Sequence, residues 1–182
     1  MKKLILLLLV VVAGQMNMTA QTFENGASYF HAGIGILSPY TYSGAKMGIP
    51  PVHVSFEKGV TENIGVGALV GYTSAKYESS FLTDSYSWNF SYALIGARGA
   101  YHFTNFDKAD VYLGGMLGYN IAKAKFESTD PDLAQYVTEP KVGGVVFGGF
   151  LGARKSVTDN LTLFGEVGYN IAWLSVGVCF NM

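Results

Sequence analysis

Apolar and polar residues alternate with a period of two along most of this chain. In 161–171 the odd positions are Leu161, Leu163, Gly165, Val167, Tyr169 and Ile171, set between Thr162, Phe164, Glu166, Gly168 and Asn170. In 64–73 the set Ile64, Val66, Ala68, Val70 and Tyr72 alternates with Gly65, Gly67, Leu69, Gly71 and Thr73. In 52–58 Val52, Val54 and Phe56 alternate with His53, Ser55 and Glu57. In 172–182 Leu174, Val176, Val178, Phe180 and Met182 alternate with Trp173, Ser175, Gly177, Cys179 and Asn181. Successive side chains of a strand point to opposite faces, so each segment predicts a strand with one apolar face and one small or polar face.

An internal repeat sets the number of strands. Residues 57–75 read EKGVTENIGVGALVGYTSA and residues 154–172 read RKSVTDNLTLFGEVGYNIA, aligned without a gap. A third copy is split by a longer turn, IGARGAYHFTN at 95–105 and DVYLGGMLGYNIA at 110–122. Each copy reads as strand, short polar turn, strand. The turns Thr61-Glu62-Asn63 and Thr158-Asp159-Asn160 hold Asn, which tolerates the backbone such turns need. Three hairpins give six strands, and 28–37 and 172–182 add one at each end. An all-β chain with an even count of eight predicts an eight-stranded antiparallel up-and-down transmembrane β-barrel. The remaining connections are expected to be longer loops at 38–51, 79–87 and 128–141, with one tight turn near Asn170. Short turns on one side and long loops on the other match periplasmic turns and outward loops.

Charge decides which face is outside. A soluble barrel places apolar residues inside and charges outside. Only 14% of the residues are charged, too few to coat an exterior, while 49% are hydrophobic and mean hydropathy is +0.26. The apolar face is therefore assigned to lipid. Asn63 to Tyr72, Asp110 to Tyr119 and Asn160 to Tyr169 are each nine residues apart. Nine residues at a tilt of about 40° give roughly 23 Å of height, close to the apolar band of such barrels. Tyr72, Tyr119 and Tyr169 are expected to form an outer aromatic girdle. Phe30, Phe56, Tyr101, Phe103 and Phe180 are expected to form the inner one.

The N-terminus reads as a signal peptide over 1–20: Lys2 and Lys3, a short apolar run from Leu4 to Ala13, and a cut after Ala20. Residues 21–182 are then the barrel domain, placed in the cell outer membrane of a Gram-negative bacterium. The net charge of -1 argues against a nucleic-acid partner. Cys179 is the only cysteine, so no intramolecular disulfide forms.

The alternation points Glu57, Arg98, Arg154 and Glu166 into the lumen. An eight-stranded barrel is just wide enough to be filled by side chains. Two acids and two arginines there are expected to neutralise one another as a luminal charge network, since a guanidinium grips a carboxylate two-pronged. The alternative is an ion or proton path through them. His31, His53 and His102 also read as inward-facing, and Cys179 as an inward residue near the periplasmic end. No Ser/His/acid set stands at suggestive positions, no metal site is formed, and no cofactor is implied. Asp130, Asp132 and Glu139 read as solvated loop acids.

The segments PPVHVSFEKGVTENIGVGALVGY, YALIGARGAYHF, DVYLGGMLGYNIA, GGFLGAR and LTLFGEVGYNIAWLSVGV resemble the small outer-membrane β-barrel proteins of Bacteroidetes-type bacteria, related to OmpA/OmpX-like eight-stranded barrels. Members usually end in an aromatic residue read by the barrel-insertion machinery; here the last aromatic is Phe180, two residues from the end. The resemblance implies outer-membrane lipid and that machinery as partners, and a monomer. The function expected is a non-enzymatic barrel with a filled lumen, acting structurally or through surface loops. The alternative is a narrow, porin-like pore or a small-ligand-binding barrel.

Overall fold

A computed structural model describes residues 23–40, 44–81, 84–103, 109–128, 141–158 and 160–182. The expected signal peptide and the acids Asp130, Asp132 and Glu139 lie outside the described residues. The barrel strands are β1 (Ser28–Leu37), β2 (Val52–Gly59), β3 (Ile64–Phe81), β4 (Asp84–Phe103), β5 (Asp110–Ser128), β6 (Lys141–Ser156), β7 (Leu161–Gly168) and β8 (Leu174–Asn181). Each pairs antiparallel with the next, and β1 pairs with β8, which closes the ring. Closure leaves the ring itself without an edge. The result is the expected eight-stranded up-and-down barrel.

Both chain ends meet at one rim, where Ser28 and Met182 exchange backbone hydrogen bonds of 3.2 and 2.9 Å. The short turn around Thr61 opens on this same rim. The other rim is uneven. Strands β3, β4, β5 and β6 have 18, 20, 19 and 16 residues, whereas β2, β7 and β8 have 8 each. One side of the barrel thus rises well above the other as a free-standing sheet.

That extension corrects two expectations. In the stretch 79–87 the described residues are strand, not loop: Glu78 pairs with Ser87 and Phe81 with Asp84, so β3 and β4 stay paired to those residues. The strands of the middle copy likewise reach from Asp84 and to Ser128, beyond the expected 95 and 122. Pairing persists there because the period of two persists, but the faces exchange character. Below, the outward residues are apolar. Above, Lys76, Asn89 and Lys125 stand in one outward row, and Tyr77, Trp88, Phe90 and Phe126 face inward. Polar outward residues in water imitate a loop when they are read in one dimension.

The first long connection holds a two-residue strand, Lys46–Met47, paired to Ala75 and Lys76 of β3. Above Phe150, β6 has β5 on one side and, among the described residues, no strand on the other, because β7 stops at Gly168. The last connection is tight, as expected. Gly168 lies so close to β6 that a Cβ there would strike the Gly149 carbonyl, so only glycine lets the chain turn at this point. The turn reverses two side chains from their strand parity. Ile171, expected outward, is fully buried inside the barrel, and Trp173, expected inward, is exposed outside.

Candidate functional site in the barrel lumen

Glu57 on β2, Arg98 on β4, Arg154 on β6 and Glu166 on β7 all point inward and are buried. Arg98 Nη2 donates to Glu166 Oε1 at 2.6 Å, and Tyr112 O–H donates to the same oxygen at 2.9 Å. Arg154 Nε donates to Asp110 Oδ2 at 2.5 Å. Arg154 Nη1 stands 3.6 Å from Glu57 Oε1 and 3.3 Å from the His31 ring nitrogen Nε2. The four residues therefore do not form one square. They form two ion pairs, Arg98 with Glu166 and Arg154 with Asp110, with Glu57 joined to the second.

Three further members join the network: the sequence marks His102 only as inward-facing and singles out neither Asp110 nor Phe23. Asp110 read as the end of a turn, yet it is the first residue of β5 and shares the inward parity of Tyr112. His102 lies between two carboxylates, with Nδ1 2.9 Å from Asp110 Oδ1 and Nε2 3.2 Å from Glu57 Oε1. A neutral imidazole carries one N–H, so only the imidazolium offers a donor to both acids. Phe23, from before β1, is the third. Its ring stacks on His102 with centroids 3.7 Å apart, and Arg154 lies 4.0 Å over the ring of Tyr29. This covers the cluster at the rim that carries the chain ends. The signal available for Asp110 and Tyr112 was parity, counted back from the outward residues Leu113 and Leu117.

The arginines also use aromatic faces. Arg98 Cζ sits 4.2 Å from the centre of the Phe150 ring. Cations held this way on desolvated rings gain on the order of 2 kcal/mol. Large inward side chains fit because glycines face them. A Cβ at Gly114 would collide with Phe150, and one at Gly152 would collide with Tyr112.

The opposite half of the lumen is apolar. Tyr40, Leu69, Tyr92, Leu94, Met116, Ile171 and Ala172 form one buried cluster, and Tyr40 stacks on Tyr92 at 4.7 Å. Thus charge fills the half nearer the chain ends, and hydrocarbon fills the half nearer the extension. Burial lifts the Tyr40 hydroxyl, in the first outer connection, to a pKa of about 12.

His31 and His53 face inward as the parity requires. Among the described residues no three His, Cys, Asp or Glu side chains are grouped to hold a metal ion. Cys179 is buried beside Phe23, Tyr29 and Phe164 as a small core residue. The aromatic residues expected at the interfaces divide between the two rims. Phe30 stands opposite Phe56 on one side and Phe180 on the other, a row of three near the chain ends. Tyr101 and Phe103 lie near the same rim, with ring centres 5.2 Å apart. Tyr72 and Tyr119 point outward toward the other rim. Tyr169 lies in the β7–β8 turn, half-buried, with its ring 5.1 Å from Trp173.

No family model matches the chain, and no curated protein matches it in sequence. Solved structures do match in shape. The N-terminal β-barrel domain of Pseudomonas aeruginosa OprF is 13% identical, with a TM-score of 0.54 over 87% of this chain and 98% of that one. Ail, the attachment invasion locus protein of Yersinia pestis, solved with the heparin analogue sucrose octasulfate, is 15% identical, with a TM-score of 0.50 over 87% and 99%. A de novo designed transmembrane β-barrel is 15% identical, with a TM-score of 0.50 over 91% and 100%. The chain therefore has the fold of the eight-stranded transmembrane β-barrels. The likeness is one of fold.

Proposed function

We propose that this chain is a non-enzymatic outer-membrane barrel with a closed lumen, acting structurally or by contact through the sheet that rises above its outer rim. The observation that carries the reading is the filling of the lumen. The buried layer of Leu69, Leu94 and Ile171 lies on one side of the ion-paired cluster, and Phe23 covers the other. A hydrated ion crossing that layer would lose its water without gaining a partner, at a cost of several kcal/mol. The band of exposed Ile34, Val54, Val66, Ile95, Leu117 and Val167 on the outer wall suits lipid. The aromatic rows near Phe30 and Tyr119 then sit at its two interfaces as girdles.

The same proposal includes export by the N-terminal segment, assembly by the barrel-insertion machinery, a monomeric state, and kinship with the Bacteroidetes-type barrels. The outward Lys46 and Lys76 share Glu78 at 2.9 Å each, and Lys125 holds Glu127 at 3.0 Å. The outward face of the extension thus carries Lys46, Lys76, Lys123 and Lys125 against Glu78 and Glu127, a solvated face with an excess of positive charge.

Planar-bilayer recording of the refolded barrel tests the reading. Silence is the expected result. A steady conductance carried by single channels would replace it with the narrow-pore reading. Altered lipid A in cells that overproduce the protein would overturn the non-enzymatic part.

A further inference from the structure

The ion pairs leave several buried polar atoms without partners; those of β7, β8, β1 and β2 share one stretch of wall, and Arg98 reaches toward them from β4 across the lumen. They are His31 Nδ1, both ring nitrogens of His53, Ser55 Oγ, Ser175 Oγ, Arg98 Nε and Glu166 Oε2. Their six residues are between 1% and 5% exposed. Register brings them together. Ser55 stands opposite His31 across β1–β2, and His53 is two residues further along the same face. Ser175 stands opposite Glu166 across β7–β8. Glu166 and Arg98 lie within electrostatic reach of both histidines. Polar side chains buried this deeply are almost always satisfied, and here no other side chain does it.

We propose that the polar half of the lumen is a closed hydration chamber, in which ordered water joins His31, His53, Ser55, Ser175, Arg98 and Glu166. The chemistry of the orphans selects water over an ion. Glu166 Oε2 only accepts and Arg98 Nε only donates; each neutral imidazole does one of each, and the serines do both. A ligand serving all of them must both donate and accept. Both guanidinium groups already have carboxylate partners, Arg98 with Glu166 and Arg154 with Asp110 and Glu57. An added ion would be left unpaired. A buried water makes about three hydrogen bonds, so the seven orphan atoms call for about two or three waters. The Phe23–His102 stack lies toward the chain ends and the cluster of Leu69, Leu94 and Ile171 toward the extension, while the Phe164 ring, 5.3 Å from His31 and 6.1 Å from His53, packs between the two rows of polar residues. The water is therefore trapped rather than passing through.

This inference rests on the closed-lumen reading but is tested apart from it. A conducting barrel would end that reading and the trapping of the water together, whereas a silent, dry barrel would end this inference alone. The test is a crystal structure of the refolded protein at a resolution that places waters, with a second crystal soaked in bromide. Two or more waters, each within hydrogen-bond distance of at least two of the named atoms, and no bromide peak, are expected. An empty chamber, side chains turned to satisfy one another, or an anomalous bromide peak between Arg98 and His53 would each overturn it. In solution, water cross-peaks to the His53 ring protons are expected with residence times beyond a nanosecond. In His53→Leu the water beside Ser175 and Glu166 should remain while that beside His53 is lost. Cross-peaks absent from the wild-type protein would overturn the proposal without recourse to the variant.

Discussion

The Phe23 ring lies flat on the His102 imidazole, their centres 3.7 Å apart and their planes 6° from parallel. The contact joins the residues ahead of β1 to the inside of the barrel. Glu24 N–H donates to the Tyr29 hydroxyl at 3.0 Å, which holds the segment in place. Stacked rings of this kind add to the stabilisation that their buried area supplies. Phe23→Ala should cost about 3 kcal/mol, as large-to-small changes at buried aromatics do. It should also expose His102 to histidine-modifying reagents in the folded protein. Unfolding in urea and mass spectrometry of the modified protein would read the two effects. An unreactive His102 in the variant would show that Phe23 does not cover it.

The Arg98–Glu166 pair is buried at 2.6 Å, with Tyr112 donating to the same carboxylate. Removing one partner strands a charge in a low-dielectric lumen. Arg98→Met and Glu166→Leu should each destabilise by about 3–5 kcal/mol, and the double variant by much less than the sum. Equilibrium unfolding of the four proteins in lipid completes the cycle. Additive losses would mean that the two side chains stand independently.

Most of the architecture was legible from period and repeat alone. Parity placed Glu57, Arg98, Arg154 and Glu166 inside correctly because nothing interrupts β2, β4, β6 or β7 at those residues. It failed at Ile171 and Trp173, where the chain leaves β7 at Gly168 and the period of two no longer applies. It failed differently at 79–87. There the sheet leaves the apolar band, its outward residues turn polar, and a strand in water reads as a loop. Asp110 was missed because a carboxylate beside a turn is ordinarily solvated; the β5–β6 register, which sets Arg154 directly opposite it, is not visible in one dimension.

Luminal glycines should not tolerate even one methyl. A Cβ at Gly152 would lie 2.6 Å from the Tyr112 hydroxyl oxygen and closer still to its ring. Tyr112 is held by Glu166 and cannot move without loosening Arg98. Gly152→Ala should destabilise by about 1–3 kcal/mol, the usual cost of overpacking. Gly144→Ala is the control, since a Cβ there meets nothing within 4 Å. Thermal melts of both variants decide it; equal midpoints would contradict the packing.

On the extension, Lys76 and then Lys46 hold the Glu78 carboxyl down to a pKa of about 2, below its usual 4.5. A carboxyl depressed by folding adds stability above its unfolded pKa and loses it as pH falls through the folded value. The contact of Lys46 with β3 should therefore hold above about pH 4.5 and weaken progressively toward pH 2. Because Glu78 is exposed and salt screens such pairs, the barrel itself should stay folded through this range. Carbon NMR of the Glu78 carboxyl follows the titration directly. A midpoint near 4.5 would show that the two lysines do not hold it in solution.

The extension and the barrel should be separable. Below Tyr77 the pairing of β3 with β4 is set by the register from Ile64 with Tyr101 upward, and the ring closes through β1 and β8 without help from the hairpin tip. Tyr77 stands directly opposite Trp88, so a two-residue turn can join them. Asn-Gly is suited to that turn because its backbone twist matches the strands. Replacing 78–87 by Asn-Gly removes the Lys46 and Lys76 contacts to Glu78, which as exposed pairs contribute little. The shortened chain should refold into lipid with its melting temperature within a few degrees of the parent, read by heat-dependent gel mobility. If surface contact is what this barrel does, the same deletion should abolish binding of the parent to host or neighbouring cell surfaces. A shortened barrel that cannot refold would show instead that the hairpin tip guides closure of the ring.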